Sequence, residues 1–204
     1  MVNPMTHVFV SYSHRDNTFA DQLEAELEAA GIDAWTDNDL EAGEPWRDSI
    51  DKAIKQCFAV LAVMSEDAKK SEYVTYEWSY ALGVGVTVIP IILREVKLHP
   101  KLEELQYLDF SGDFDAPFKK LLRRLKNLEI KYLQGALRHP QYAVRRHAAR
   151  RLGELKVKKA VPDLIRTLEN DRSRKVVRPA AADALEAIGT DEAINAARKF
   201  RSKN

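Results

Sequence analysis

The sequence predicts two units of different class: an α/β domain over residues 1–128, with a doubly wound, parallel, five-stranded sheet, and a small all-α unit of helical repeats over residues 129–204. Three observations predict this. Short β-branched runs alternate with helical stripes along the first stretch, and crossovers of that length join parallel strands with helices on both faces. The second stretch has no strand-like run and contains a repeat offset by 33 residues. The charge divides at the same place. Residues 1–128 carry 14 basic and 22 acidic side chains, a net of −8, and residues 129–204 carry 18 and 9, a net of +9, so the overall +1 is a cancellation. An asymmetry of this size argues for separate units.

Residues 7–12 (HVFVSY) are β-branched and aromatic, as a strand requires. Phe19, Leu23 and Leu27 then recur every four residues, with Gly31 as the stop, which predicts a helix. Residues 32–35 read as a second strand, followed by a polar loop from Thr36 to Pro45. Trp46, Ile50, Ala53 and Ile54 mark the next helix. The unbroken apolar run 58–64 (FAVLAVM) predicts a strand buried on both faces. A helix over about 72–82 ending at Gly83, a fourth strand over 87–93, a short fifth over 107–110 and a helix from 114 to about 128 complete the domain. In such sheets ligands bind beyond the carboxyl ends of the strands, which singles out the loops after residues 12, 35, 64 and 93. In the second unit Val144-Arg145, Ala148-Ala149, Leu152, Leu155 and Ala160 recur as Val177-Arg178, Ala181-Ala182, Leu185, Ile188 and Ala193. A fixed period of this size signals stacked helical hairpins.

Composition narrows the function classes. A hydrophobic content of 45% supports a core, which argues against disorder. A lone cysteine, Cys57, cannot close an internal disulfide, and its place before a buried strand suits a core residue better than a nucleophile. The opening MVNPMTHVFV has no signal-peptide pattern, and the run Val84 to Leu93 is too short to span a bilayer, so a cytoplasmic protein without membrane contact is expected. No GxGxxG, P-loop or GxSxG pattern occurs, and the histidines at 7, 14, 99, 139 and 147 make no metal-ligand spacing, so neither a metal nor a resident cofactor is expected.

Three stretches, in order and at these spacings, resemble the TIR (Toll/interleukin-1 receptor/resistance) domain over residues 6–128: VFVSYSHRD (8–16), WTDNDLEAGEPW (35–46) and SEDAKKSEYVTYEWSYAL (65–82). The sheet implied is flavodoxin-like. The pattern departs from the family at Val74, where many members carry Cys, and at Tyr73, where Trp is common. The VRxxAA and LxxL pattern of the second unit resembles short, Ala-rich HEAT repeats. Many TIR domains cleave the nicotinamide–ribose bond of NAD+, releasing ADP-ribose or a cyclic form. The carboxylate that this chemistry needs carries over to Glu77, with NAD+ as substrate. Departing nicotinamide leaves positive charge on the ribose, which a fixed carboxylate stabilises. The leaving group is already cationic in the substrate, so one acidic residue can suffice.

The resemblance further implies substrate contacts from Ser13 and His14 after the first strand, from Glu41 in the second loop, and from Trp46 and Tyr73 by ring stacking. Each has a plainer alternative: a dipole-stabilised helical Glu77, a core Trp46, a Tyr73 covering a helix face, a solvated His14, a solubilising Glu41. Self-association through the TIR domain and a role in immune-type signalling are implied as well. The alternative function is a non-catalytic scaffold pairing TIR domains, with a protein partner on the repeats. A nucleoside deoxyribosyltransferase, of similar fold with a Glu nucleophile, fits the loop and helix spacings less well. Arg145, Arg146, Arg150 and Arg151 fall on adjoining turns of one helix, a stripe that could hold nucleic acid, an acidic protein face, or only solvent.

Overall fold

The computed structural model describes residues 7–37 and 46–202, with Trp46 described at its backbone only. By compactness the chain divides into residues 1–126 and 127–204. The first unit is a five-stranded, all-parallel sheet in the order β2-β1-β3-β4-β5, built from His7–Ser11, Asp33–Trp35, Ala59–Met64, Val88–Ile92 and Leu108–Asp109. This is the doubly wound architecture that the alternating pattern predicts. Helices α1 (Asn17–Ala29), α2 (Trp46–Gln56), α3 (Glu66–Lys70), α4 (Glu72–Gly83) and α5 (Pro100–Glu103) occupy the connections, and α6 (Asp115–Ala136) follows β5.

Every residue of β1 and β3 is buried, which explains why β3 reads as an unbroken apolar run. Phe9, Val60, Ala62 and Met64, alternate residues along their strands, join Ile50 and Ile54 of α2 and Val74 and Trp78 of α4 in one core. Pro90 inside β4 costs the sheet no hydrogen bond. Val60 N–H bonds to Thr87 O, Leu93 N–H to Met64 O and Phe110 N–H to Ile92 O, so odd positions of β4 face β3 and even positions face β5. Pro90 thus turns its nitrogen toward the β5 side, where pairing starts only at Ile91.

Besides the short α5, which the sequence reading lacks, three differences from that reading have local causes. α3 is an additional helix, started by Ser65, whose hydroxyl accepts the Ala68 amide. α4 includes Gly83, and the left-handed residue that follows it is Gly85 at φ 78°. α6 continues to Ala136, so the composition change near residue 128 lies inside a helix.

The second unit contains α7 (Tyr142–Glu154), α8 (Val161–Asn170), α9 (Val177–Ile188) and α10 (Asp191–Arg201). Its core joins Leu133 and Leu137 to Ala148, Ala149 and Leu152 of α7, Leu164 and Leu168 of α8, and Ala181, Ala182 and Leu185 of α9. The alanines permit close approach of α7 to α9. At Gly153 the approach leaves no room for a side chain, since an added methyl would lie 2.7 Å from the Cα of Ala184.

The four arginines of α7 do not form one free stripe, which corrects the nucleic-acid reading for two of them. Arg145 pairs with Asp171 at 2.6 Å, their side chains 12% and 5% exposed, and also donates to the carbonyls of His139 and Pro140. Arg151 pairs with buried Glu129 at 2.8 Å. Only Arg146 and Arg150 remain fully exposed. Burial alone would raise the Asp171 carboxyl, but the hydrogen bonds from Arg145 and from the Ser173 amide, with the charges of Arg145 and Arg178, hold it below its ordinary value.

Gly153→Ala tests the α7–α9 contact. Alanine gains up to about 1 kcal/mol in helix propensity over glycine, but the clash with backbone costs about 1–3 kcal/mol, so the substitution should destabilise the second unit. Chemical denaturation followed by circular dichroism checks this; an unchanged or raised midpoint would count against the contact.

Candidate functional site

Ser71 caps α4 by accepting the Val74 amide, which fixes where the helix begins and therefore which residues face inward. Val74, Glu77, Trp78 and Ala81 form its buried stripe at i, i+3, i+4 and i+7. Glu77 is thus a carboxyl set into an apolar stripe, and it is only 5% exposed. Glu77 is therefore not an exposed helical glutamate, though it does lie in the N-terminal half of α4. Its Oε2 accepts a 2.5 Å hydrogen bond from Ser11 Oγ at the carboxyl end of β1. Burial pushes the Glu77 carboxyl up to about 8; the Ser11 hydrogen bond opposes this and the charge of Asp37 adds to it.

Glu77 opens onto a cleft of about 500 Å³, lined also by Tyr12 to Arg15 after β1, Asp37 after β2, and Ser71 and Tyr73 of α4. These are the carboxyl ends of neighbouring strands, where doubly wound sheets bind ligands. Of the residues that the sequence singles out, Ser13, His14, Tyr73 and Glu77 therefore come together. Ser13 caps the short turn His14–Asp16 through the Arg15 amide, at 3.4 Å. His14 Nε2 lies 3.3 Å from Asp37 Oδ2, with the Tyr12 ring edge-on at 6.0 Å. Tyr73 stands at the rim, 64% exposed. Trp46 opens α2, but its side chain, like the whole of Glu41, lies outside the described residues.

Three contributors escaped the sequence reading. Ser11 ends β1 and holds Glu77. Asp37 adds a second carboxylate, and its place just beyond β2 was the available signal. Asp16 is buried and accepts from Ser65 Oγ at 2.6 Å, with the Arg94 guanidinium 3.5 Å from its other oxygen. It ties the turn carrying His14 to the ends of β3 and β4, so it positions the cleft wall.

Among the described residues no group of three or more His, Cys, Asp or Glu is placed to hold a metal ion. Cys57 is buried and donates to the Ile54 carbonyl, and burial pushes its thiol up to about 12, which suits a core residue. No described helix is long and apolar enough to cross a membrane.

Comparison with known proteins agrees with this fold. Residues 8–122 match the family model described as TIR domain, and residues 130–203 match that of HEAT repeats. The chain belongs to the TIR domain family, with HEAT repeats following the TIR domain. The crystal structure of the TIR domain of the Toll-related receptor TRR-2 from Hydra magnipapillata superposes with a TM-score of 0.55 at 26% identity, covering 59% of this chain and 98% of that one. An uncharacterized protein y4lF of Sinorhizobium fredii is 36% identical over 105 residues, which is 47% of this chain and 32% of the relative, so the chain spans about a third of that protein. TIR domains typically self-associate, HEAT repeats mediate protein interactions, and the TIR family includes members that hydrolyse NAD.

The buried carboxyl leaves a thermodynamic signature. In the unfolded chain Glu77 ionises near 4.5, whereas the folded chain keeps its proton up to about 8. The folded state therefore binds the extra proton between these values, and this group's contribution to stability declines as pH rises from about 4.5 to about 8. Glu77→Gln cannot titrate, so the difference in denaturation midpoint, variant minus wild type, should grow across that window. A difference that stays constant with pH would show that Glu77 is not buried as a neutral acid.

Proposed function

We propose that the chain is an NAD+ glycohydrolase that acts in signalling and is activated by self-association, with Glu77 as its catalytic residue. The observation that carries this reading is a carboxyl buried beside a cleft at the carboxyl ends of β1 and β2, held by a hydrogen bond from Ser11. A buried carboxylate is unfavourable without a partner, and the ionised form gains one when a cation enters. The nicotinamide ring carries such a charge, and as the bond to ribose breaks, the charge moves to the sugar. Glu77 then stabilises it at short range in a site of low dielectric, while the Ser11 hydroxyl holds the carboxylate in place. Asp37, less buried than Glu77 and 3.3 Å from His14, places a second carboxyl at the same cleft. Tyr73 at the rim offers a ring face for stacking, and Arg15 a cation for the diphosphate. NAD+ is the substrate on this reading, and the product is ADP-ribose or its cyclic form.

The test is nicotinamide release from NAD+ by the full chain over a range of protein concentrations. Specific activity should rise with concentration, and kcat/KM should rise with pH to a plateau above about 8, as the free protein loses the Glu77 proton. Glu77→Gln should lose about a hundredfold or more, by analogy with the loss of other charge-stabilising groups. Absence of release at every concentration, with crowding included, would leave the scaffold reading in its place. Equal release by wild type and variant would remove Glu77 from the chemistry.

A further inference from the structure

The second unit holds a cavity of its own, about 430 Å³, formed by the turn after α6, the start of α7, and α8 with the loop that follows it. Its charges do not balance. Oδ1 of Asp163 accepts from two guanidinium groups, Arg138 at 3.3 Å and Arg166 at 3.1 Å, while Oδ2 accepts from Gln134 at 3.0 Å. Arg172 lines the same space, and no carboxylate among the described residues pairs with it. Arg145 also lines it but is neutralised by Asp171 and saturated by two carbonyls. Three guanidinium groups thus meet one carboxylate, a surplus of two positive charges. Each guanidinium has five N–H donors, and Arg138 and Arg166 each direct one at Asp163, so most of their donors are left for solvent or a ligand.

The complement of such a cavity is a compact dianion with several acceptor oxygens. A phosphate monoester carries about −1.5 to −2 charge near neutral pH and three terminal oxygens, and arginine forks bind it in bidentate fashion. A carboxylate would leave one charge uncompensated. The volume lies within the 300–1,000 Å³ typical of small-molecule sites, and Leu137 and Pro140 give part of the wall an apolar surface on which a sugar can rest. We propose that this cavity binds a small phosphate monoester, its phosphate seated among Arg138, Arg166 and Arg172. The proposal is independent of the chemistry assigned to the Glu77 cleft.

Calorimetric titration of the full chain with inorganic phosphate, ribose 5-phosphate and ribose tests it. Both phosphates should bind with saturation at one site, ribose should not, and affinity should fall as salt is raised. Arg166→Ala and Arg138→Ala should each weaken ribose 5-phosphate about tenfold or more, while Arg166→Lys, which keeps the charge but loses the fork, should fall between. Glu77→Gln should bind it as wild type does. Melting curves accompany each variant, and Arg172→Ala, which breaks no ion pair, carries the test if another variant fails to fold. Absence of saturable binding, binding that survives all three alanine substitutions, or binding lost in Glu77→Gln would each overturn the site. A phosphoserine peptide binding tenfold tighter than ribose 5-phosphate would overturn the small-molecule assignment in favour of a protein partner.

Discussion

The burial of one carboxyl organises the first unit. Glu77 occupies a place in the α4 stripe that packing would give to an apolar side chain, between Val74 and Ala81 and next to Trp78. Moving an ionised carboxylate there without a partner costs several kcal/mol, more than the ordinary hydrogen bond from Ser11 returns, which is why the group holds its proton to about 8. The Ser11 contact exists because α4 and the end of β1 are brought together by the sheet order. Every strand of the β2-β1-β3 set contributes: β1 supplies Ser11 and the turn with His14, β2 leads to Asp37, and β3 leads through Ser65 to the capped start of α4.

A second constraint keeps the cleft wall in place. Asp16 is fully buried, and the Ser65 hydroxyl that it accepts also caps α3. One serine thus joins the turn after β1 to the helix after β3. Arg94 approaches from the loop after β4 while its own side chain stays largely in solvent. The carboxylates of the cleft and its wall therefore serve different ends because their surroundings differ: Glu77 in an apolar stripe, Asp16 beside a hydroxyl and a cation, Asp37 half-exposed beside His14.

Much of this was legible. The alternation of strand and helix signals gave a sheet of the correct size and class, and the motif at 65–82 gave the helix that carries Glu77. The burial of Glu77 was itself readable, since Val74, Trp78 and Ala81 stand at i−3, i+1 and i+4 from it; the sequence reading used the motif and overlooked the stripe. Asp37 was overlooked although the loop after β2 was singled out, because a loop residue has no periodicity to say which of its side chains faces the cleft. Arg145 and Arg151 were misread for a related reason. Their spacing along α7 suggests one exposed face, but their partners Asp171 and Glu129 come from 26 and 22 residues away, and pairing at such range leaves no local trace. The short α3 and α5 gave no signal because four or five residues are too few to show a helical period.

Those arginine pairs change the meaning of the charge division. A surface that follows a polyanion needs cations repeated along one continuous face, each free to meet a phosphate. In the second unit Arg145 and Arg151 are instead directed inward, where each neutralises a nearly buried acid, and Arg201 binds both Asp183 and Glu186. The exposed positive charge includes separate groups: Arg146 and Arg150 on α7, the turn from Lys156 to Lys159, Arg174 and Lys175 before α9, and the cavity bounded by Arg138, Arg166 and Arg172. Of these places, the last brings several guanidinium groups to one open pocket. A net charge of +9 therefore describes the unit poorly. What matters for recognition is that Arg145, Arg151 and Arg201 are each held by their own acids, while at the cavity three guanidinium groups share one carboxylate, which favours compact anions over long ones.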